Sequence, residues 1–200
     1  ICYNYHMHKI ELQDGERIDQ LFSTDVQIIQ NREVFSYSVD SVLLSRFPKM
    51  PAKKGLIVDL CSGNGAVGLF ASTRTKAQIV QVELQERLAD MNRRSIELNG
   101  LEEQLTVIND DLANLPHYDL RSKVDLMLCN PPYFKVDESS NLNESEHYLL
   151  ARHEIATNLD NICQVAQQVL KSNGRLAMVH RPDRFLDILD KLRIYKLAPK

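Results

Sequence analysis

The sequence lacks any long apolar run, and this absence leaves no candidate for a membrane-spanning helix. Its 200 residues are 44% hydrophobic, which is enough for one sizeable core, but no apolar stretch approaches the roughly 18 residues that cross a bilayer. The first 17 residues are too polar for a signal peptide. Low-complexity tracts and internal repeats are also missing. We therefore expect a cytoplasmic protein with one main domain and no contact with a membrane.

Cysteine and basic charge are scarce as well. The four cysteines form no C-x-x-C pair and the six histidines show no ligand spacing, so we expect free thiols and no metal. A net charge of -3 argues against a general nucleic-acid coat, because non-specific phosphate binding needs many cations. The end of the chain is locally basic, with eight Lys and Arg residues from Lys171 to Lys200. This end permits a polyanionic substrate without requiring one, since a charge run is commonly just a solvated face.

Short apolar runs alternate with stretches of helical spacing along most of the chain. The runs that predict strands are residues 56–60, 77–83, 105–109, 124–129 and 175–180. The stretches that predict helices are residues 66–72, 84–98 and 185–192, with one more from 159 that stops near Gly174. This alternation predicts an α/β fold in which a mostly parallel sheet is flanked by helices. Residues 1–50, with a strand at 26–29 and a helix in the second half of 35–44, form an N-terminal extension, and residues 51–200 form the main domain.

The most informative motif is Asn130-Pro131-Pro132-Tyr133, which directly follows the apolar run at 124–129. Each proline fixes its own φ, and the first proline also restricts the backbone of Asn130. The predicted strand therefore ends in an amide side chain that is held rigidly. Such an amide is suited to holding a planar amino group, whereas the structural alternative is a rigid turn between strand and loop.

A second motif lies at residues 63–68, which read G-x-G-x-x-G between a predicted strand and a predicted helix, as in dinucleotide-binding proteins. Asp59 argues against a dinucleotide, because a carboxylate just before the glycines would repel a pyrophosphate. It suits a cationic ligand such as S-adenosylmethionine, which carries an ammonium and a sulfonium and no phosphate. Glu83 can accept the ribose hydroxyls, and Asp110-Asp111 the adenine amino group. Each acid alone could be an N-cap, but acids at three successive strand ends favour one shared ligand.

The order and spacing of these motifs resemble those of class I S-adenosylmethionine-dependent methyltransferases that modify amino groups. The positions that carry the likeness are Asp59, Cys61 in place of the usual first glycine, Gly63, Gly65, Glu83, Asp111 and Asn130 to Tyr133. The whole chain further resembles the bacterial family of tRNA(Val) adenine N6-methyltransferases, in residues 15–19, 28–31, 35–44, 151–154 and 180–182. This resemblance implies a Rossmann-like methyltransferase fold whose final edge hairpin is not in this sequence, so we expect the chain to be incomplete at its C-terminus.

The resemblance also implies roles for particular residues. The expected cofactor-binding residues are Asp59, Cys61, Gly63, Asn64, Gly65, Glu83, Asp110, Asp111 and Asn130, with Phe35 and Asp40 of the extension closing over the methionine end. Core packing and an N-cap explain Phe35 and Asp40 equally well. The expected catalytic residues are Asn130, Pro131, Pro132 and Tyr133, and the expected substrate-binding residues are Tyr133, Phe134, Arg152 and His153. For Arg152 and His153, an ordinary cluster at a helix start is the alternative. The Asn130 oxygen and the Pro131 carbonyl would accept the N–H bonds of a target amine, while aromatic rings stack on an extruded base. Cys61 and Cys129 should flank the site, because the first and fourth strands of such a sheet are neighbours.

Three functions are consistent with these motifs. The resemblance implies transfer of a methyl group to N6 of an adenine in tRNA, with S-adenosylmethionine as cofactor and tRNA as partner; a guanine N2-methyltransferase of ribosomal RNA is a close variant. The second is a protein-glutamine N5-methyltransferase, because a side-chain amide is also planar and that family also carries N-P-P-Y. Those enzymes have a helical N-terminal domain, which this sequence does not show. The third is a cofactor-binding module without catalysis, which the intact Asn130 and Tyr133 disfavour.

Overall fold

The computed structural model describes residues 10–32, 37–131 and 158–200 of the chain. Within these ranges the strands are β1 Glu16–Gln20, β2 Gln27–Asn31, β3 Leu56–Leu60, β4 Gln78–Glu83, β5 Leu105–Asn109, β6 Val124–Cys129 and β7 Leu170–Met178. The α-helices are α1 Val39–Arg46, α2 Ala66–Ser72, α3 Glu86–Leu98, α4 Leu159–Val169 and α5 Phe185–Ile194, and short 3-10 helices span Leu112–His117 and Pro182–Arg184. Strands and helices therefore alternate from β3 onward, as the apolar pattern predicts.

Strands β3 to β7 form one sheet in the order β5-β4-β3-β6-β7. Every pairing in it is parallel, so the carboxyl ends of all five strands lie along one edge. This confirms the predicted fold class. Leu60 of β3 is opposite Cys129 of β6, which confirms that the first and fourth predicted strands are neighbours. The strand order changes direction between β3 and β6, and open α/β sheets bind their ligands at such a point.

Apolar side chains cover both faces of the sheet because successive residues of a strand point to opposite sides. Ile57 and Leu126 pack with residues of α1, α2 and α3 on one face. Val58 and Met127 pack with α4 and the first 3-10 helix on the other. All four side chains are 0% exposed, and full burial of a side chain of this size contributes about 1.5–3 kcal/mol. The two covered faces leave the edges of the sheet as the places where a ligand can reach the strand ends.

The strands β1 and β2 form a separate antiparallel hairpin that lies against α3. The sequence pattern does not predict β1, because Ile18 is its one apolar residue. Arg94 of α3 donates two hydrogen bonds of 2.7 Å to the carboxylate of Glu16, and the amide of Ile29 donates to Ser95 Oγ at 3.0 Å. The hairpin is therefore anchored to α3 by an ion pair and a backbone contact that only the folded chain creates.

The predicted end of one helix and the predicted bounds of the strand after it are wrong. The sequence predicts that the helix after residue 159 stops near Gly174 and that a strand spans 175–180, but α4 ends at Val169, β7 spans Leu170–Met178 and Gly174 lies inside this strand. The register between β6 and β7 shifts between Val124 and Leu126, and Gly174 lies beside this irregularity. A Cβ on Gly174 would lie 2.8 Å from the carbonyl oxygen of Lys171 and 2.9 Å from that of Val124. The glycine is thus required by a close approach of backbones and not by the end of a helix.

The described part of the chain has no helix that is both long and apolar enough to cross a membrane. Among the same residues, no group of three or more His, Cys, Asp or Glu side chains is arranged to hold a metal ion.

Candidate functional site

The acidic and amide residues singled out in the sequence lie at the carboxyl ends of neighbouring strands. Asp59 is the fourth residue of β3, Glu83 ends β4, Asp110 follows β5 and Asn130 follows β6. Neighbouring strands in a sheet are about 4.8 Å apart, so the parallel order β5-β4-β3-β6 brings these strand ends together on one edge. This edge, with the loop after β3, is the candidate site.

Cys61 directly follows β3 and Asn130 directly follows β6. The two residues lie side by side at the centre of the edge, because Leu60 and Cys129 are register partners. Asn130 is half-buried and Pro131 is buried. Burial raises the pKa of the Cys129 thiol, and its hydrogen bond with Cys61 adds to this. Cys61 has a φ of 55°, a left-handed conformation that costs an ordinary residue about 1–2 kcal/mol. A glycine at this position would avoid that cost.

The loop from Cys61 to Gly65 is called the glycine loop below, and helix α2 follows it directly. The three glycines of the motif, two in this loop and one in α2, all donate within the protein: the amide of Gly63 donates to Glu83 Oε2 at 2.8 Å, that of Gly65 to the Ser62 carbonyl at 2.9 Å, and that of Gly68 to Asp59 Oδ2 at 3.1 Å. A dinucleotide-binding turn instead presents such amides to a phosphate. These three glycine amides are therefore not available to a phosphate.

Asp59 lies beneath the glycine loop and not on its outer surface. The residue is 0% exposed, and its Oδ1 has no hydrogen-bond partner among the described residues. Burial raises the pKa of Asp59 to about 7; the hydrogen bonds from Gln81 and the Gly68 amide oppose this, and the charge of Glu83 adds to it. An acid with that pKa is partly protonated at neutral pH and supplies less than a full negative charge. Its expected role toward a cationic ligand stays a prediction.

Glu83 shapes the glycine loop from the neighbouring strand. Glu83 is 6% exposed. Its Oε2 accepts a hydrogen bond from the Gly63 amide, and its Oε1 accepts one from the Gln85 amide at 2.9 Å. Burial raises the pKa of Glu83, and these backbone amides oppose the rise. A carboxylate has roughly four acceptor positions, and the backbone amides that Glu83 accepts from are those of Gly63, Gln85 and Leu84, so it can still accept a further donor. Its expected contact with ribose hydroxyls stays a prediction.

The acids after β5 differ from each other. Asp111 accepts from the Ala113 amide at 2.8 Å and caps the 3-10 helix, as the N-cap alternative predicts. Asp110 accepts from Asn114 Nδ2 at 2.9 Å and from the Tyr118 hydroxyl at 2.8 Å. These hydrogen bonds, the one from Asn114 first, lower the pKa of Asp110. Both acids are half-exposed at the edge, and their expected role at an adenine amino group stays a prediction.

The extension reaches the glycine loop through β2. Asn64 is 0% exposed, and its Nδ2 donates to the carbonyl of Ile29 at 3.1 Å. Asp40 lies in the first turn of α1, and the Tyr37 ring before this helix stacks edge-on against Phe70 of α2, with centroids 5.8 Å apart. The remaining expected site residues lie outside the described residues, and their roles stay predictions: Phe35, Pro132, Tyr133, Phe134, Arg152 and His153.

Two buried amides next to the glycine loop are missed by sequence reasoning. Gln81 of β4 and Asn92 of α3 are both 0% exposed. The available signal is a polar residue where the pattern calls for an apolar one: Gln81 stands between Val80 and Val82, and Asn92 follows Met91 on the inner face of α3. Such an exception at a strand or helix interior marks a residue with a special contact.

Comparison with known proteins finds one family model and a set of related sequences. The model described as methyltransferase small domain matches residues 25–193. A tRNA1(Val) (adenine(37)-N6)-methyltransferase of Shewanella loihica is 27% identical over 78% of this chain and 65% of that protein. The enzyme of the same name from Aliivibrio fischeri is 30% identical over 71% of this chain and 58% of that protein. The chain thus spans less than two thirds of the length of these curated relatives.

Solved structures show the same fold at lower identity. A putative transferase of Pyrococcus horikoshii has a TM-score of 0.63 and 14% identity, covering 92% of this chain and 62% of that chain. A geranyl diphosphate methyltransferase, solved in complex with SAM, has a TM-score of 0.55 and 14% identity, covering 79% of this chain and 57% of that chain. These likenesses show a fold shared with methyltransferases.

Proposed function

The chain belongs to the methyltransferase small domain family, whose model covers residues 25–193, and from this membership we propose that it methylates N6 of an adenine in tRNA. The proposed cofactor is S-adenosylmethionine and the proposed substrate is tRNA(Val), modified beside the anticodon. The named activity of the Shewanella and Aliivibrio relatives supports this choice. An enzyme that modifies tRNA would work in the cytoplasm.

The hydrogen bonds of the glycine amides are the main support for the proposed cofactor. Because the amides of Gly63, Gly65 and Gly68 already donate within the protein, the loop favours a ligand that has no phosphate at this position. S-adenosylmethionine instead needs acceptors for its ribose hydroxyls, its adenine amino group and its ammonium. Glu83 is proposed to hold the ribose, Asp110 and Asp111 the adenine, and the backbone around Gly63 the methionine part.

Asn130 and Pro131 are proposed to orient the substrate amine. When bound, S-adenosylmethionine supplies a methyl group on a positively charged sulfur. An adenine amine is a weak nucleophile because its lone pair is delocalised, and its proton becomes acidic only as the new N–C bond forms. A strong base is therefore not required beforehand. Accepting both N–H bonds, by Asn130 Oδ1 and the Pro131 carbonyl, directs the lone pair toward the methyl carbon, and such orientation can contribute on the order of 7 kcal/mol.

The choice of tRNA rests on the relatives and not on surface charge. Within the part of the chain that the structure describes, four of the eight basic residues between Lys171 and Lys200 form ion pairs with aspartates: Lys171 with Asp125, Arg181 with Asp183, Arg184 with Asp187 and Lys191 with Asp160. These pairs reduce the positive field that the sequence alone indicates.

Residues 1–50 are proposed to act as an extension that steadies the cofactor side of the site, and the contact of Ile29 with Asn64 supports this.

The test is a methylation assay with S-adenosylmethionine carrying a labelled methyl group and total tRNA from a strain that lacks the protein. Digestion to nucleosides should give label in N6-methyladenosine. Asn130→Ala should lower kcat at least about 100-fold, the scale for loss of one oriented hydrogen-bonding group. Asn161→Ala, at a half-exposed asparagine in α4, is the matched control and should retain full activity.

Other products identify the competing functions. Label in N2-methylguanosine or in protein would refute the adenine proposal. The first product would indicate a guanine methyltransferase and the second a glutamine methyltransferase. Cofactor binding with no transfer to RNA or protein would indicate a binding module. Full activity of Asn130→Ala would refute its proposed place at the reacting amine.

A further inference from the structure

Two fully buried amide side chains contact the glycine loop from inside the protein. They come from two different elements, Gln81 from the middle of β4 and Asn92 from α3. Both residues are 0% exposed. A polar side chain that is fully buried is unusual, so the presence of these two amides needs an explanation.

Gln81 is wedged between two glycines of the motif. Its Nε2 donates to the carbonyl of Gly65 at 3.2 Å. A Cβ on Gly68 would lie 2.5 Å from the Cδ and Nε2 atoms of Gln81, so the side chain lies directly on the Gly68 Cα. Gln81 is also the register partner of Asp59, whose Oδ2 accepts from the Gly68 amide. The start of α2 is therefore held from two adjacent strands.

Asn92 occupies the other side of the loop. A Cβ on Gly65 would lie 2.2 Å from Asn92 Oδ1, so the amide lies flat against this glycine. Gly65 has a φ of 91°, which a residue with a side chain rarely adopts. Asn92 Nδ2 also makes a long hydrogen bond of 3.4 Å to Ser62 Oγ. Gly65 therefore combines a left-handed backbone conformation with a close contact to Asn92, and both restrict the conformation of the glycine loop.

The two buried amides lower the stability of the folded protein relative to apolar side chains. Gln81 Oε1 and Asn92 Oδ1 are buried and have no hydrogen-bond partner among the described residues. A buried oxygen without a donor costs about 1–3 kcal/mol, which an apolar side chain of similar size would avoid. Their presence is better explained by the shape that they impose on the loop than by the stability that they add.

We propose that Gln81 and Asn92 are positioning residues that hold the glycine loop in the conformation that binds the methyl donor. This inference rests on the proposed function, because it assigns the loop to the donor. Neither side chain touches the reacting atoms in this assignment. Both act through Gly65, whose carbonyl Gln81 holds and whose Cα Asn92 covers. Their loss should therefore weaken donor binding and leave the rate of methyl transfer at saturation unchanged.

The test compares donor binding in Gln81→Met and Asn92→Ala with the wild-type protein. Gln81→Met keeps the side-chain volume against Gly68 and removes the hydrogen bonds of Gln81 to the Gly65 carbonyl and to Asp59. Because the volume is kept, the variant should fold normally. Calorimetric titration with S-adenosylhomocysteine should show Kd raised about tenfold in each variant, the scale of one hydrogen bond. KM for the donor should rise equally, with kcat within twofold. Hydrogen exchange of the loop amides should also be faster.

Matched controls are Gln78→Ala on the same strand and Arg93→Ala on the same helix, both exposed and away from the loop. They should bind the donor as wild type does. Wild-type affinity in folded Gln81→Met would overturn the inference, as would a fall in kcat with an unchanged KM. If the wild-type protein itself does not bind S-adenosylhomocysteine, the proposed function fails instead, so the two failures are distinguishable.

Discussion

Replacing Asp59 with Asn should remove most of a pH dependence of stability that this residue gives the protein. Burial raises the pKa of Asp59 from 3.8 to about 7, whereas the unfolded chain keeps the lower value. Between these two values the folded protein binds more protons than the unfolded chain does. The stability contributed by the protonated acid is therefore fully present below about pH 4 and is lost as the pH rises through about 7.

The size of the effect follows from this interval. It is roughly 3 pH units wide, and each unit is worth about 1.4 kcal/mol, so the full loss is on the order of 4 kcal/mol. About 2 to 3 kcal/mol of it falls between pH 5 and pH 8. Glu83 faces Asp59 from β4, and burial raises its pKa as well. Its contribution has the same sign and is common to the wild-type protein and to Asp59→Asn.

Urea unfolding followed by far-UV circular dichroism at pH 5, 6, 7 and 8 measures this effect. The free energy of unfolding of the wild-type protein minus that of Asp59→Asn should fall by about 2 to 3 kcal/mol across the series. Asp119→Asn, at a carboxylate that is 90% exposed, is the control and should follow the wild-type curve. Parallel curves for the wild-type protein and Asp59→Asn would refute the argument that this buried acid takes up a proton in the folded state.

Two further substitutions test the packing around the site. Arg94→Ala should cost about 1–3 kcal/mol, because it leaves the Glu16 carboxylate, whose side chain is 0% exposed, without its partner; urea unfolding measures it, and exposed Arg93→Ala should cost under about 0.5 kcal/mol. An equal cost for both would contradict the anchoring of the hairpin. Gly68→Ala should cost about 1–3 kcal/mol, because its Cβ would lie 2.5 Å from Gln81. The cost should be smaller in a Gln81→Ala background, and an unchanged cost would show that the clash is not with Gln81.

The main sheet is predictable from sequence because its strands are buried on both faces. The strands predicted at 56–60, 105–109 and 124–129 coincide with β3, β5 and β6. The end of α3 is also predictable, since Gly100 has a φ of 61° and its amide donates to the Glu97 carbonyl at 3.0 Å, as a helix stop requires. These features depend on local patterns, which a sequence contains.

Features that depend on a distant partner are not predictable in the same way. β1 has one apolar residue, and its position depends on the ion pair between Glu16 and Arg94. The position of Gly174 in β7 depends on the backbone of Val124, which belongs to another strand. Gln81 and Asn92 are visible as polar exceptions, but their contact with the glycine loop becomes visible only when β4 and α3 are packed beside it.

The acids at three strand ends look alike in the sequence but have different environments in the structure. In the sequence Asp59, Glu83 and Asp110 form one series. In the structure, burial raises the pKa of Asp59 and Glu83, whereas hydrogen bonds lower that of Asp110 at the surface. Asp59 and Glu83 bind the amides of Gly68 and Gly63, so these two acids build the loop, and Asp110 is an acceptor that faces outward. A donor would therefore meet a loop whose shape the two buried acids set, which ties donor binding to their protonation.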